Sequence, residues 1–98
     1  VSVFQHSNSI LITGCSTGFG RATALPFARK GWKVFATVRK ESDRESLLNE
    51  RAGDIVPLLC DIVHEDQVQE LGRAVAARTE TLDALVNNAG SAFAAPMN

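Results

Sequence analysis

Ser9-Ile10-Leu11-Ile12-Thr13-Gly14-Cys15-Ser16-Thr17-Gly18-Phe19-Gly20 is the stretch that decides the fold. Ser9 to Thr13 is a short apolar run closed by a turn signal, the pattern of a strand buried on both faces in a parallel sheet. From Phe19 to Lys30, the residues Ala22, Ala24, Leu25, Phe27 and Ala28 suit a helix packed on that sheet, and Gly31 supplies its stop. A strand that ends in glycine and runs into a helix N-terminus presents unpaired backbone N–H groups and a partial positive charge, so an anion belongs above it. Gly14 then allows the tight turn, Gly18 the approach of backbone to a pyrophosphate, and Gly20 the close packing of helix on strand. Phe19 lends its backbone N–H while its ring faces the core. Pro26, seven residues beyond Phe19, removes a backbone donor and collides with the Ala22 carbonyl, which predicts a kink or an irregular turn.

Outward from this unit the chain alternates. Lys33 to Val38 is rich in β-branched and aromatic residues and makes a second strand. Glu41 to Arg51, polar but for contacts at Leu47 and Leu48, reads as a short exposed helix ended by Gly53. Ile55 to Cys60 is the third strand, and Pro57 within it predicts a sheet edge, where a missing donor costs little. Glu65 to Thr79 sets Val68, Leu71 and Val75 at helical spacing, with acids in front and Arg73 and Arg78 behind to suit the helix dipole. His64 sits near the start of that helix. Leu82 to Asn87 leads into a fourth strand. With short connections and right-handed crossovers, this order gives an α/β fold: a partial Rossmann-type doubly wound parallel sheet of four strands and three helices, strand order 3-2-1-4.

Composition narrows the partners. The 98 residues, 45% hydrophobic, suffice for one small domain. A net charge of −1 with scattered basic residues lacks the electrostatic footprint that nucleic acid or an anionic membrane requires. No apolar run approaches the ~18 to 20 residues of a membrane span, and Val1 to Ser9 has no basic stretch followed by an apolar core, so a soluble, cytoplasmic protein is expected. Cys15 and Cys60 are too few for a disulfide framework and match no zinc spacing. Cys60 with His64 does not complete a tetrahedral metal site.

The glycine spacing discriminates further. Thr13-Gly14, three residues, Gly18, one residue and Gly20 departs from the common G-x-G-x-x-G fingerprint. With Asn87-Asn88-Ala89-Gly90 at the end of the fourth strand and Asp61 after the third, it resembles the short-chain dehydrogenase/reductase family over nearly the whole chain from Ser9 onward. The resemblance implies a dinucleotide cofactor. Gly14, Ser16, Gly18, Phe19 and Gly20 match the family's phosphate and ribose contacts, and Asp61 with the backbone of Ile62 matches its adenine contacts. Asn88 and Gly90 match the segment that borders the adenosine ribose, and Thr13 would tie the glycine loop to it by a hydrogen bond. At the end of the second strand, an acid would accept hydrogen bonds from the ribose 2′-OH and favour NAD. Val38 stands there instead, followed by Arg39 and Lys40. A guanidinium fork suits a phosphate dianion, so Arg39 points to NADP(H) over NAD. Thr17 is neutral where some NADP-preferring relatives carry a basic residue.

Members of that family transfer hydride between a nicotinamide and a carbonyl or alcohol, with a tyrosine as proton donor or acceptor, a nearby lysine that lowers its pKa, and a serine that orients the substrate oxygen. An unassisted phenol, with a pKa of ~10, stays protonated near neutral pH. This chain has no tyrosine, and its only lysines are Lys30, Lys33 and Lys40. No Tyr-x-x-x-Lys element exists in it, and neither Ser91 nor Asn98 is assigned the family's serine or asparagine role. The expectation is that residues 1–98 form the N-terminal part of a single NAD(P)-binding domain, cut at both ends and inactive alone. The parent would be an NADP-dependent oxidoreductase of small carbonyl or alcohol substrates, homo-oligomeric at full length. The alternative is a non-catalytic NAD(P)-binding sensor or interaction module. A nucleotide-sugar epimerase is disfavoured, because that branch uses Gly-x-x-Gly-x-x-Gly.

Overall fold

The computed structural model describes residues 8–16 and 18–88. Its elements follow in the order β1 (Ser9–Ile12), α1 (Gly18–Arg29), β2 (Lys33–Val38), α2 (Glu41–Asn49), β3 (Ile55–Leu59), α3 (Glu65–Ala76) and β4 (Ala84–Val86). All pairings are parallel, and the sheet order is β3-β2-β1-β4. This is the partial doubly wound sheet that the sequence pattern predicts. Among the described residues, no helix is long and apolar enough to cross a membrane.

Strand alternation divides the core into two layers. Ile10, Ile12, Val34, Ala36, Val38 and Ile55 face one side, where Ala24 and Ala28 of α1 and Leu47 of α2 cover them. Phe35 faces the other, with Leu11, Val56 and Leu58 beside it, under Leu71 and Val75 of α3. Fully burying a side chain the size of Phe35 or Ile10 contributes roughly 1.5–3 kcal/mol, and both are at most 1% exposed. Ala84 and Val86 of β4 pack on the first layer, but on the α3 side the cover stops short of β4. Leu85, in register with Leu11, is 60% exposed, and the far edge of β4 has no paired strand among the described residues.

Pro57 lies where its chemistry predicts. Cys60 N–H donates to the Val38 carbonyl at 2.9 Å, so alternate residues of β3 turn their amides toward β2 and Pro57 presents its missing donor to the open edge. At Pro26 the helix is not interrupted by an irregular turn, since α1 runs continuously through it. Both Pro26 and Ala22 are exposed, on the side where water can take the carbonyl that the proline leaves without a donor. Gly53 also differs, since α2 ends at Asn49 with Glu50 as its cap, and Arg51 takes the left-handed turn at φ 50°. Gly53, at φ 153°, instead lies against α1, where a Cβ would intrude on the Ala28 carbonyl oxygen. In α3, His64 is the N-cap residue, Glu65 and Asp66 occupy the first turn, and Arg78 folds back to donate to the Ala74 carbonyl at 3.1 Å.

Candidate functional site

Because the strands are parallel, Ile12, Val38, Leu59 and Val86 end at one edge of the sheet and the loops after them meet there. The loop after β1 turns at Gly14, with φ 71°, and again at Gly18, with φ 67°, both in the left-handed region that side chains disfavour. Gly20 is required for a different reason. A Cβ there would intrude on the Gly14 carbonyl oxygen and lie 2.9 Å from Asn88 Nδ2, whereas a Cβ at Gly18 would meet nothing within 4 Å. The three glycines thus divide into a tight turn, an open approach and a close helix-to-loop contact.

The Gly14 peptide groups are held from both flanks. Its N–H donates to Thr37 Oγ1 at 3.0 Å, and its carbonyl accepts from Asn88 Nδ2 at 3.1 Å. Cys15 N–H donates to the Thr37 carbonyl at 2.8 Å, and the Cys15 thiol donates to the Ile12 carbonyl at 3.2 Å. Burial pushes that thiol up to about 12, against a smaller downward pull from the Thr37 backbone, so it is protonated near neutral pH and is no nucleophile. Thr13 makes the tie expected of it, and more than once. Its N–H donates to the Val86 carbonyl at 3.0 Å, its hydroxyl accepts from Asn88 N–H at 2.8 Å, and that hydroxyl donates to Asn87 Oδ1 at 3.1 Å. Among the described residues, nothing accepts the backbone N–H groups of Ser16, Gly18, Phe19 and Gly20, the donors that a helix N-terminus leaves over.

Phe19 corrects the sequence reading. Its ring is 68% exposed and does not face the core. The buried stripe of α1 is Gly20, Ala24 and Ala28, one turn apart, and Phe19 lies about 100° of helix rotation away from it. Where Gly20 meets Gly14, the packing leaves no volume for a ring.

Two further loops complete the edge. Arg39 and Lys40 follow β2 and are exposed. The bond from Cys60 N–H to the Val38 carbonyl sets the turn at Asp61 beside them. Asp61 N–H donates to Gln67 Oε1 at 2.7 Å, Asp61 Oδ1 accepts from Val63 N–H at 3.2 Å, and His64 Nε2 is 3.9 Å from Asp61 Oδ2. Ile62 packs its side chain on the Phe35 layer, and its N–H finds no acceptor among the described residues. Burial pushes the neighbouring Cys60 thiol up, and the Asp61 charge adds to the shift. Gly14, Ser16, Gly18, Gly20, Arg39, Asp61, Ile62 and Asn88 therefore all lie along one edge, with the backbone of Phe19. Gly90 and Thr17 lie outside the described residues. Sequence reasoning missed Thr37 and Gln67. A threonine near the end of a strand buried on both faces, and a glutamine at the third position of a helix, were the available signals.

A glycine-turned loop feeding a helix N-terminus at the carboxyl edge of a parallel 3-2-1-4 sheet defines a Rossmann-type nucleotide-binding fold. Comparison with known proteins carries this to a family. The family model described as short chain dehydrogenase matches residues 8–98, and the chain belongs to that family. It is 41% identical over 87 residues to a serine 3-dehydrogenase of Agrobacterium fabrum, covering 89% of this chain and 35% of the relative. It is 32% identical over 84 residues to the NADP-dependent 3-hydroxy acid dehydrogenase YdfG of Salmonella typhi, covering 86% and 34%. A crystal structure of an actinorhodin polyketide ketoreductase with NADPH superposes with a TM-score of 0.78 at 30% identity, over 84% of this chain and 33% of that one. The chain thus spans about a third of the length of the curated relatives it matches.

Proposed function

We propose that this chain is the NADP(H)-binding front of a short-chain dehydrogenase or reductase acting on a small carbonyl or alcohol. The observation that carries the reading is the glycine loop, where a Cβ at Gly20 would fill the helix-to-loop contact while the space at Gly18 stays open. A bound NADP(H) would supply the hydride chemistry at its nicotinamide. The residues here bind and orient. Ser16, Gly18, Phe19 and Gly20 offer N–H groups and a helix N-terminus to the pyrophosphate, Asp61 and the Ile62 N–H receive the adenine, and Asn88 and Gly90 border the ribose. Gly14 contributes shape, since both of its polar groups are engaged with Thr37 and Asn88.

Arg39 supports NADP(H) over NAD(H). It is exposed at the end of β2 with no ion-pair partner among the described residues, and no acid stands at Val38 to repel a 2′-phosphate. The YdfG relative is named as NADP-dependent and the ketoreductase neighbour holds NADPH, which agrees. No tyrosine occurs in the 98 residues, so the proton-transfer residues of the full reaction belong to sequence outside them, and these residues alone would not turn over substrate. Homo-oligomerisation and a cytoplasmic location of the full-length protein go with this reading. The test is to measure NADPH and NADH affinities of the full-length protein and of Arg39→Ala. The substitution is expected to lose most of the NADPH preference while leaving NADH binding nearly unchanged, and an unaltered preference removes Arg39 from the phosphate site.

A further inference from the structure

We propose that Thr37, on β2, is a positioning residue that sets the glycine loop for the pyrophosphate, an inference that rests on the dinucleotide reading above. Three observations converge on it. Thr37 is 1% exposed, a polar side chain in a strand whose neighbours Val34, Phe35, Ala36 and Val38 are all apolar and buried. Its hydroxyl accepts from Gly14 N–H at 3.0 Å and its carbonyl accepts from Cys15 N–H at 2.8 Å. The two amides it takes are consecutive, so one residue of β2 fixes the plane of the loop as it turns at Gly14 with φ 71°.

The consequence is geometric. A loop amide aimed at Thr37 is not aimed at a ligand, and the Gly14 carbonyl is pinned oppositely by Asn88 Nδ2. With the Thr13–Gly14 and Gly14–Cys15 peptides so held between β2 and β4, the chain leaves Gly14 in one direction and delivers the N–H groups of Ser16, Gly18, Phe19 and Gly20 to the anion. Valine at 37 would keep the β-branched shape and strand preference of threonine. It would strip the acceptor from a part-buried N–H, which then gains by rotating toward water or toward the phosphate. The Gly14 amide would lose its fixed aim, while the bonds from Cys15 N–H to the Thr37 carbonyl and from Asn88 to the Gly14 carbonyl, and the strand beneath, remain.

Full-length protein carrying Thr37→Val, with Thr37→Ser as the hydroxyl-retaining partner, tests this by titration with two ligands. NADPH needs the loop, whereas 2′-AMP carries adenine, ribose and 2′-phosphate but no pyrophosphate. Thr37→Val is expected to weaken NADPH binding by roughly five- to fifty-fold, to leave 2′-AMP affinity within about two-fold, and to be rescued by Thr37→Ser. Equal losses for both ligands, or equal losses in the serine and valine variants, would mean that Thr37 merely supports the fold. Undiminished NADPH binding by the valine variant overturns the proposal outright. A wild-type protein that binds neither ligand removes the dinucleotide reading itself, and the positioning role with it. Should the valine variant not fold, the serine variant still decides: a large NADPH loss there, with the hydroxyl present, refutes the assignment.

Discussion

Replacing Gly20 by alanine should destabilise the protein although alanine is the better helix former. On propensity alone, a glycine within a helix gains about 1 kcal/mol on becoming alanine. At position 20 the new methyl would intrude on the Gly14 carbonyl oxygen and stand 2.9 Å from both Asn88 Nδ2 and the Gly14 carbonyl carbon. Ordinary carbon contacts need roughly 3.5–4.0 Å, and the closer approach to the Gly14 oxygen governs, so helix and loop must part by about 1 Å. Overpacking of this kind costs about 1–3 kcal/mol. The bond from Asn88 to Gly14, already 3.1 Å long, would be lost with it, for a further ~1 kcal/mol. Set against the propensity gain, the net is a destabilisation of about 1–3 kcal/mol. Gly72 in α3 is the internal comparison, because a Cβ there meets nothing within 4 Å and the same substitution should stabilise by about 0.5–1 kcal/mol. Urea unfolding of the two variants of the full-length protein therefore reads opposite signs, and Gly20→Ala should also weaken NADPH binding. If the two variants shift in the same direction, or Gly20→Ala is neutral, the close approach of α1 to the loop does not constrain this position.

Gly53→Ala should lower stability by about 1–3 kcal/mol, since its methyl would intrude on the Ala28 carbonyl at a φ of 153°; a thermal melt indistinguishable from wild type would refute the contact. Cys15 and Cys60 are buried, so mass-mapped alkylation near neutral pH should spare both in folded protein and label both in urea, and rapid labelling of either thiol without denaturant would contradict their placement. Because burial raises the folded Cys15 value to about 12 from 9.0, the unfolded chain releases that proton first. Its stabilising contribution is intact below pH 9 and is lost as pH climbs toward 12. Wild type should then lose stability over that window more steeply than Cys15→Ala, and parallel slopes would count against it. The 98-residue chain prepared alone should be partly unfolded or associated, given the β4 edge left unpaired among the described residues and the exposed Leu85, and a sharp monomeric transition independent of concentration would show otherwise.

What was legible in the sequence was whatever depends on local pattern. Lys33 to Val38 matches β2 residue for residue, because Val34, Phe35, Thr37 and Val38 cluster β-branched and aromatic residues between the Gly31 break and the charged pair Arg39-Lys40. The helix ends were set too late, at Arg51 and Thr79 rather than Asn49 and Ala76, since polar residues continue past the last helical turn without a mark. Pro57 announced an edge, as a missing donor must. The misses share a cause: each depends on what lies across the fold. Whether Phe19 points inward turns on how close Gly20 comes to Gly14, the role of Gly53 on where α1 passes, and the role of Thr37 on a loop 23 residues earlier in the chain. Spacing within an element carries none of these.

The tie between Thr13 and Asn88 spans 75 residues, and that between Asn88 and Gly14 spans 74. The loop emerges early during synthesis, yet its brace is translated after all three helices. Contacts of such separation carry a high loop-closure cost. A nascent chain stopped before β4 could pair β1, β2 and β3 and bury much of both layers, but would hold its glycine loop by the β2 side only. The loop is therefore held from both flanks only once the chain extends through β4 to Asn88.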